Sequence, residues 1–286
     1  MTLLEALLPG LASAGAIGAA MALVALAETV VPLHARGHWG RAHLGPNLAL
    51  TALALGTNLL LNAALLVALA WLDARGLGLL RAFALPPLAC AALAVVALDL
   101  ATWATHVAMH RSALLWRFHR VHHADPLVDV TTTIRQHPGE SAIRYAFLAV
   151  AACGLGASPA AFAVYRTWSA LQGLLEHANL RVPARLDTAL SFLITTPNLH
   201  KVHHSRVTAQ TDTNYGNLFA LFDRAFGSFT PSAHGVAIEY GLDGLDDAGT
   251  QTAVGLLALP FRSRRPPGAP QLPPLRRSGQ DLVRSR

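Results

Sequence analysis

The sequence predicts an all-α protein of the polytopic integral-membrane kind: three long spans and a helical hairpin, with a histidine-rich helical cap on the cytoplasmic side. Three observations predict it. Hydrophobic residues make up 53% of the chain and charged residues only 13%, about half the charge of a water-soluble globule, and the mean hydropathy is +0.39. Three apolar stretches each have the roughly 20 residues that a spanning helix needs. Histidine is also concentrated: ten of the fourteen fall between His106 and His204.

Taken in order, the chain opens on MTLLEALLPG. An acidic residue stands where a secretory leader carries basic ones, so the first apolar stretch, 6–31, is expected to be a retained membrane helix. The second stretch, 48–72, holds Asn58 and Asn62 one turn apart, and helix–helix hydrogen bonding is their expected role. The third, 82–104, has Pro86 and Pro87 near its outer end, where a kink is tolerated. A fourth stretch, 142–177, is broken by GLGASPAA. Its arms are short for separate spans but suit a hairpin turning at Gly156–Pro159. Such a hairpin returns the chain to the side it left, which is required if the histidines flanking it share one site. Short amphipathic and polar segments over 179–260 predict the rest of the cap, continuous with the membrane helices. Residues 1–260 are therefore expected to form one domain, followed by a basic, proline-rich tail at 261–286.

Charge sets the expected orientation. Five arginines lie between 111 and 144 and seven after 261, so both segments should face the cytoplasm. The tail suits anionic lipid headgroups, and the apolar character of the chain argues against nucleic acid as a partner. Cys90 and Cys153 lie in apolar stretches and offer neither a disulfide framework nor a CxxC motif. The absence of a retrieval signal and the alanine- and arginine-rich composition point to a bacterial inner membrane.

Histidine spacing carries the chemistry. His106 and His110 are four apart, hence on one helical face. His119, His122 and His123 stand at i, i+3 and i+4, a spacing that aims all three toward one side, and His200, His203 and His204 repeat it. His177 stands alone at the end of the return arm. A lone histidine is more often a hydrogen-bonded core residue than a ligand, but so many imidazoles packed together have no structural benefit and would repel if protonated. Divalent metal relieves both problems. Eight or nine imidazoles exceed the coordination number of one ion, so two are implied. Structural zinc sites are commonly cysteine-rich, and neither HExxH nor the ExxH motif of soluble di-iron bundles is present. An all-imidazole dinuclear site at a membrane surface fits iron used to activate oxygen; spacing alone leaves two zincs or two histidine-ligated haems open.

The order HxxxH, HxxHH, HxxHH resembles the fatty acid hydroxylase/sterol desaturase superfamily of membrane di-iron oxygenases. The resemblance runs from about Asp99 to Thr230 and includes DLATWATHVAMH, RQHPGE, EHANLRVP and TDTNYGNLFALFDRAFGSF. It implies that His106, His110, His119, His122, His123, His200, His203 and His204 ligate two irons, with His177 as a ninth ligand. His137 stays outside this set, because HPGE reads equally as a pre-helix turn in which Glu140 caps the hairpin's first arm. Asp99, one heptad before His106, is placed either to orient a ligand imidazole or to serve as a buried, helix-bonded aspartate. Asp212, Asn214 and Tyr215 match residues that shape the cap. Arg120 and Lys201, each following a box's first histidine, are expected to contact headgroups or a redox partner. The chain departs from the family at Val107, where arginine is common, and at Phe222, where tryptophan is. His34, His38 and His43 lie outside the pattern and read as interfacial.

The implied reaction uses O2 as co-substrate and two electrons to hydroxylate a C–H bond of a lipid: a fatty acyl chain, sterol, hopanoid, carotenoid or related molecule. A desaturase sharing the site is the nearest alternative, and a non-enzymatic haem or metal carrier a more distant one. With no flavin, nicotinamide or CxxCH fingerprint, electrons are expected from a separate carrier, cytochrome b5-like, ferredoxin or rubredoxin, docking on the basic face.

Overall fold

A computed structural model describes residues 2–34 and 41–262; His38 and nearly all of the basic tail lie outside them. Helix α1, Leu3–Val30, starts at a capping box in which Thr2 accepts from the Glu5 amide and the Glu5 carboxylate from the Thr2 amide. Helices α2, Arg41–Asp73, and α3, Pro87–Arg111, follow. These three are the helices, among the described residues, that are long and apolar enough to cross a membrane. Their outward faces carry exposed Leu4, Leu11, Leu23, Leu60 and Leu88, as lipid contact requires. The protein is a helical membrane bundle.

Two boundaries differ from the sequence expectation for physical reasons. Pro86 and Pro87 produce no kink: Pro87 begins α3 at the first helical position, where its missing N–H is not needed. Helix α2 begins earlier than its apolar core, and at 33 residues is about 50 Å long, exceeding the hydrocarbon thickness of about 30 Å. Its surplus turns reach into the cap, where the Asn47 amide donates to Asp125 and Thr131 at 3.0 and 2.9 Å.

Ser112 ends α3 and starts α4, Ala113–His123, its hydroxyl accepting from the Leu115 amide. One residue therefore turns the chain from the first histidine motif to the second. After a buried loop comes the hairpin: α5, Pro138–Leu155, and α6, Pro159–His177. Its turn falls where the glycine–proline signal placed it. Gly156 takes φ +65°, a left-handed conformation that glycine adopts without a Cβ penalty, and Ser158 caps α6. Leu65 and Leu69 of α2, Val95 and Leu98 of α3, Tyr145 and Leu148 of α5, and Phe162 and Tyr165 of α6 form the main core.

The cap is built of short helices: α7, Ala184–Leu190; α8, Pro197–His203; α9, Thr208–Thr211; α10, Leu221–Phe226; and α11, Ala253–Ala258. No strand occurs among the described residues, only isolated bridges such as Pro32 with Leu180. Leu50 of α2, Val121 of α4 and Leu256 of α11 share one cluster, so the cap packs on the membrane helices through a common core. A polar network supports the same junction. The Arg135 guanidinium donates to Asn47 at 2.6 Å and Gln251 at 2.7 Å and lies 3.8 Å from Asp125. Burial alone would raise Asp125; the charge of Arg135 and the His43 hydrogen bond outweigh it and hold the carboxyl well below its ordinary range.

Candidate metal centre

Nine buried histidines converge at one end of the bundle in two groups. His106, His110, His119, His123 and His203 form the first, and His122, His177, His200 and His204 the second; within each, the ligand nitrogens all lie within 4.8 Å of one another. These are the nine that the spacing and the resemblance singled out. The boxes do not, however, each point to one side. Successive helical residues diverge by about 100°, so His122 and His123 separate across the two groups, as do His203 and His204. Each HxxHH box gives its i and i+4 histidines to one group and its i+3 histidine to the other, and the two boxes do so in opposite senses. His123 and His204 stack at 4.5 Å between ring centroids, so the groups are adjacent.

The second nitrogen of several rings is fixed by the chain. His106 Nδ1 donates to the Tyr215 carbonyl at 2.9 Å, His203 Nδ1 to the Thr213 carbonyl at 2.8 Å and His177 Nδ1 to the Gly173 carbonyl at 2.8 Å. His119 Nδ1 meets the buried Glu140 carboxylate at 2.8 Å, which also accepts from Arg144 Nε at 2.9 Å. His110 Nδ1 is 3.2 Å from Asp212, whose carboxyl is raised to about 6 by burial, partly offset by Arg111. A carbonyl can only accept, so His106, His177 and His203 carry their proton on Nδ1 and a lone pair on Nε2.

That tautomer creates a conflict which a cation resolves. His106 Nε2 lies 3.0 Å from His119 Nε2; His177 Nε2 lies 3.0 Å from both His122 Nε2 and His200 Nε2 and 3.2 Å from His204 Nε2. One ring cannot donate to all of these, and facing lone pairs repel. Two nitrogens bound about 2.1 Å from one ion at a right angle lie about 3.0 Å apart, which matches. In addition, His110 Nε2 and His203 Nε2 are buried with no hydrogen-bond partner. Burial, reinforced by the neighbouring imidazoles, holds His119, His122, His123, His200 and His204 well below the ordinary histidine value, and burial brings His203 to about 4. Neutral imidazole is the metal-binding form. The donor set fits a pair of divalent ions.

Other sequence expectations meet different outcomes. His137 caps α5, its Nδ1 accepting from the Gly139 amide at 2.9 Å, while Glu140 orients His119 and caps nothing. Asp99 touches no imidazole: it accepts from the Leu218 and Phe219 amides at 3.1 and 3.0 Å, holding the loop that presents the Tyr215 carbonyl. Asp223 secures the same loop through the Tyr215 and Gly216 amides at 2.9 and 2.8 Å, a role that sequence reasoning missed. Arg120 and Lys201 do not face headgroups. Both are buried, Arg120 donating to the Leu259 carbonyl at 2.6 Å and Lys201 to the Ala178 carbonyl. Burial pulls the Lys201 ammonium down to about 8 against the pull of Glu28, Asp129 and Asp187. His34 bonds Tyr240 at 3.0 Å and His43 bridges Asp125 and Asp129.

From the histidines a cavity of about 260 Å³ runs into the bundle between α1, α2, α5 and α6. His106, His122, His177 and His200 close its inner end, and Gly10, Ala14, Leu59 and Leu66 line its far part. Asn58 and Asn62 also line it, and their side-chain oxygens have no hydrogen-bond partner. The helix–helix bond expected of them is not formed, because both amides face the cavity.

Membrane-length helices capped by a buried cage of nine imidazoles, with a cavity at its base, define a class: helical membrane proteins with a histidine site able to hold metal. Residues 91–228 match the fatty acid hydroxylase family. The chain is 32% identical over 141 residues to an alkylglycerol monooxygenase of Caenorhabditis elegans, covering 48% of this chain and 26% of that one. It is 30% identical over 152 residues to the ornithine lipid hydroxylase OlsE of Rhizobium tropici, covering 53% and 45%. A very-long-chain aldehyde decarbonylase of Oryza sativa subsp. indica is 29% identical over 45% of this chain and 21% of that one. These matches place residues 91–228 in the fatty acid hydroxylase superfamily. The chain spans about a fifth to just under half the length of these relatives, and no solved structure matches it.

Proposed function

We propose that this protein is a lipid hydroxylase whose nine histidines hold two iron ions, five imidazoles on one and four on the other. The observation that carries this reading is the set of Nε2 atoms 3.0–3.2 Å apart at the inner end of a cavity leading from the membrane region. Hydroxylation consumes O2, two electrons and two protons, leaving one oxygen atom on the lipid carbon and the other in water. When bound, the iron pair supplies the redox activation of O2 that no side chain here can provide. The chain supplies the rest. The Tyr215, Thr213 and Gly173 carbonyls and the Glu140 carboxylate fix ring tautomers and orientation. Burial of the cage excludes water, and the cavity walls position the target carbon. Electrons are supplied by a separate cytochrome b5-like, ferredoxin or rubredoxin carrier. The arginine bias supports a cytoplasmic placement of the histidine end, and the shared core of cap and spans supports treating 1–260 as one domain.

The test is metal content and visible absorption of detergent-purified protein beside a His122→Ala/His203→Ala double variant, which removes one ligand from each group. Two irons per chain, no haem Soret band and loss of iron in the variant are expected, with oxygenated products from lipid extracts supplied with reductant. Haem, or no metal in fresh wild type, would overturn the reading; alkene products instead of alcohols would make the protein a desaturase.

A further inference from the structure

Two guanidinium groups line the cavity, and they are not equivalent. Arg144 is paired with Glu140 at 2.9 Å. Arg166 has no acidic partner among the described residues. Its Nε is buried without a hydrogen bond, and its guanidinium carbon lies 5.1 Å from the Tyr145 ring centroid. An unpaired cation inside a membrane bundle is costly unless function retains it.

The contact with Tyr145 argues against the common alternative, escape to a membrane surface. Arg166 lies eleven residues before His177 on α6, about 16 Å deeper in the bundle. Helical side chains lean toward the helix N-terminus, which for α6 is the hairpin turn. The Tyr145 ring stands on antiparallel α5 and leans the opposite way, toward the histidines. The guanidinium over that ring is therefore turned inward along the cavity rather than toward the turn. The same cavity is lined from α2 by Asn58 and Asn62, one turn apart; their Oδ1 atoms bond nothing in the protein, and their –NH2 groups are the part that can donate to a bound acceptor. Two helices thus bring a fork of donors and two adaptable amides to one cavity. Arginine with amides matches the planar, two-oxygen geometry of a carboxylate. A volume of about 260 Å³, just under the usual range for small-ligand pockets, suits one acyl chain better than two.

We infer that Arg166, Asn58 and Asn62 form a subsite for the carboxylate head of a single-chain amphiphile, whose chain then runs along the cavity to the histidines. The inference rests on the reading of the histidine end as the site of oxidation. It sets the regiochemistry: the Arg166 backbone is on the order of 16 Å of helix rise from His177, less the reach of its side chain back toward the histidines, so the oxidised carbon lies along the chain and not next to the carboxylate.

Binding of laurate and of methyl laurate to the purified full chain, by equilibrium dialysis in detergent, tests it. Wild type should bind laurate at least tenfold more tightly than the ester. Arg166→Met should bind the two alike, with affinity for the ester unchanged, and Arg166→Lys should recover part of the preference. Equal affinity of wild type for acid and ester would overturn the subsite, a result independent of any variant's folding. So would an undiminished preference for laurate in Arg166→Met. Iron analysis of the same wild-type preparation separates the two readings. If wild type holds no iron yet still prefers laurate, the oxidation reading fails and the subsite stands.

Discussion

At the scale of single residues, the positions that matter most to the metal cage include several that never touch it. Asn214 has φ +56°, a left-handed conformation in which asparagine is enriched among non-glycine residues. Its side chain accepts from the Thr230 amide at 2.9 Å and donates to the Leu199 and Thr230 carbonyls at 3.1 and 3.0 Å. The carbonyls on either side of it, Thr213 and Tyr215, each fix a histidine of the first group. Asn214→Ala should therefore lose stability through the left-handed backbone, about 1–2 kcal/mol, and through three hydrogen bonds of about 1 kcal/mol each. Asn214→Gly should lose only the hydrogen-bond part. In both, iron retained after chelator dialysis should fall toward one per chain, because the fault lies at His106 and His203; loss of both irons together would refute that assignment. Glu140 gives a second prediction at this scale. Glu140→Gln keeps its size but removes the charge that orients His119, and second-sphere changes of this kind cost about 10- to 100-fold in metal affinity. Competition with a coloured chelator should show that loss in one of the two binding steps and not in the other.

The elements explain why part of this was legible in the sequence and part was not. HxxxH and HxxHH are periodic features of one chain segment, so His106, His110 and the two boxes declare themselves by spacing. The hairpin is equally local, since Gly156 and Pro159 mark its turn. The partners that orient the rings are distant: Tyr215 lies 109 residues from His106, and a backbone carbonyl leaves no mark on residue type. Asp99 shows the limit of periodicity. Seven residues return it to the face of His106 but displace it about 10 Å along the axis, into the layer of Leu218 and Phe219. Arg120 and Lys201 were misplaced because charge next to a membrane helix suggests a surface, whereas the folded cap covers both. Helix α8, which carries His200 and His203 and ends at His204, is held by the turn at Ser232–Val236. A Cβ on Gly235 would stand 2.0 Å from the Asn198 carbonyl oxygen and 2.8 Å from its carbon, backbone atoms that cannot give way without moving the first turn of α8. Gly235→Ala should therefore cost about 1–3 kcal/mol, typical of overpacking, and lower the iron content although it is itself no ligand. A thermal melt with iron analysis checks both, and unchanged iron would mean that α8 tolerates the shift.

For the whole molecule, the decisive property is that the chain returns. Box one ends α4, box two ends α8, and between them runs a hairpin of 18 and 19 residues. Each arm is about 27–29 Å long, close to the hydrocarbon thickness, so α5 descends from the cage and α6 climbs back to it. At the far end the backbone of Leu77 and Gly78, between α2 and α3, meets Gly156 so closely that a Cβ there would lie 2.4 Å from the Leu77 oxygen. The hairpin turn and the α2–α3 loop therefore occupy one face of the bundle, and the nine histidines the other. Single cysteines placed in a chain with Cys90 and Cys153 changed to alanine make this measurable. Leu127 and Val207 are 39% and 57% exposed on the histidine face, and Leu77 is 45% exposed on the loop. An impermeant thiol reagent applied to sealed vesicles should label Leu127→Cys and Val207→Cys from the same side and Leu77→Cys from the opposite one. Labelling of positions 127 and 207 from opposite sides would break the shared cage, because a single span between the boxes would leave them a membrane apart, and each group of imidazoles draws on both.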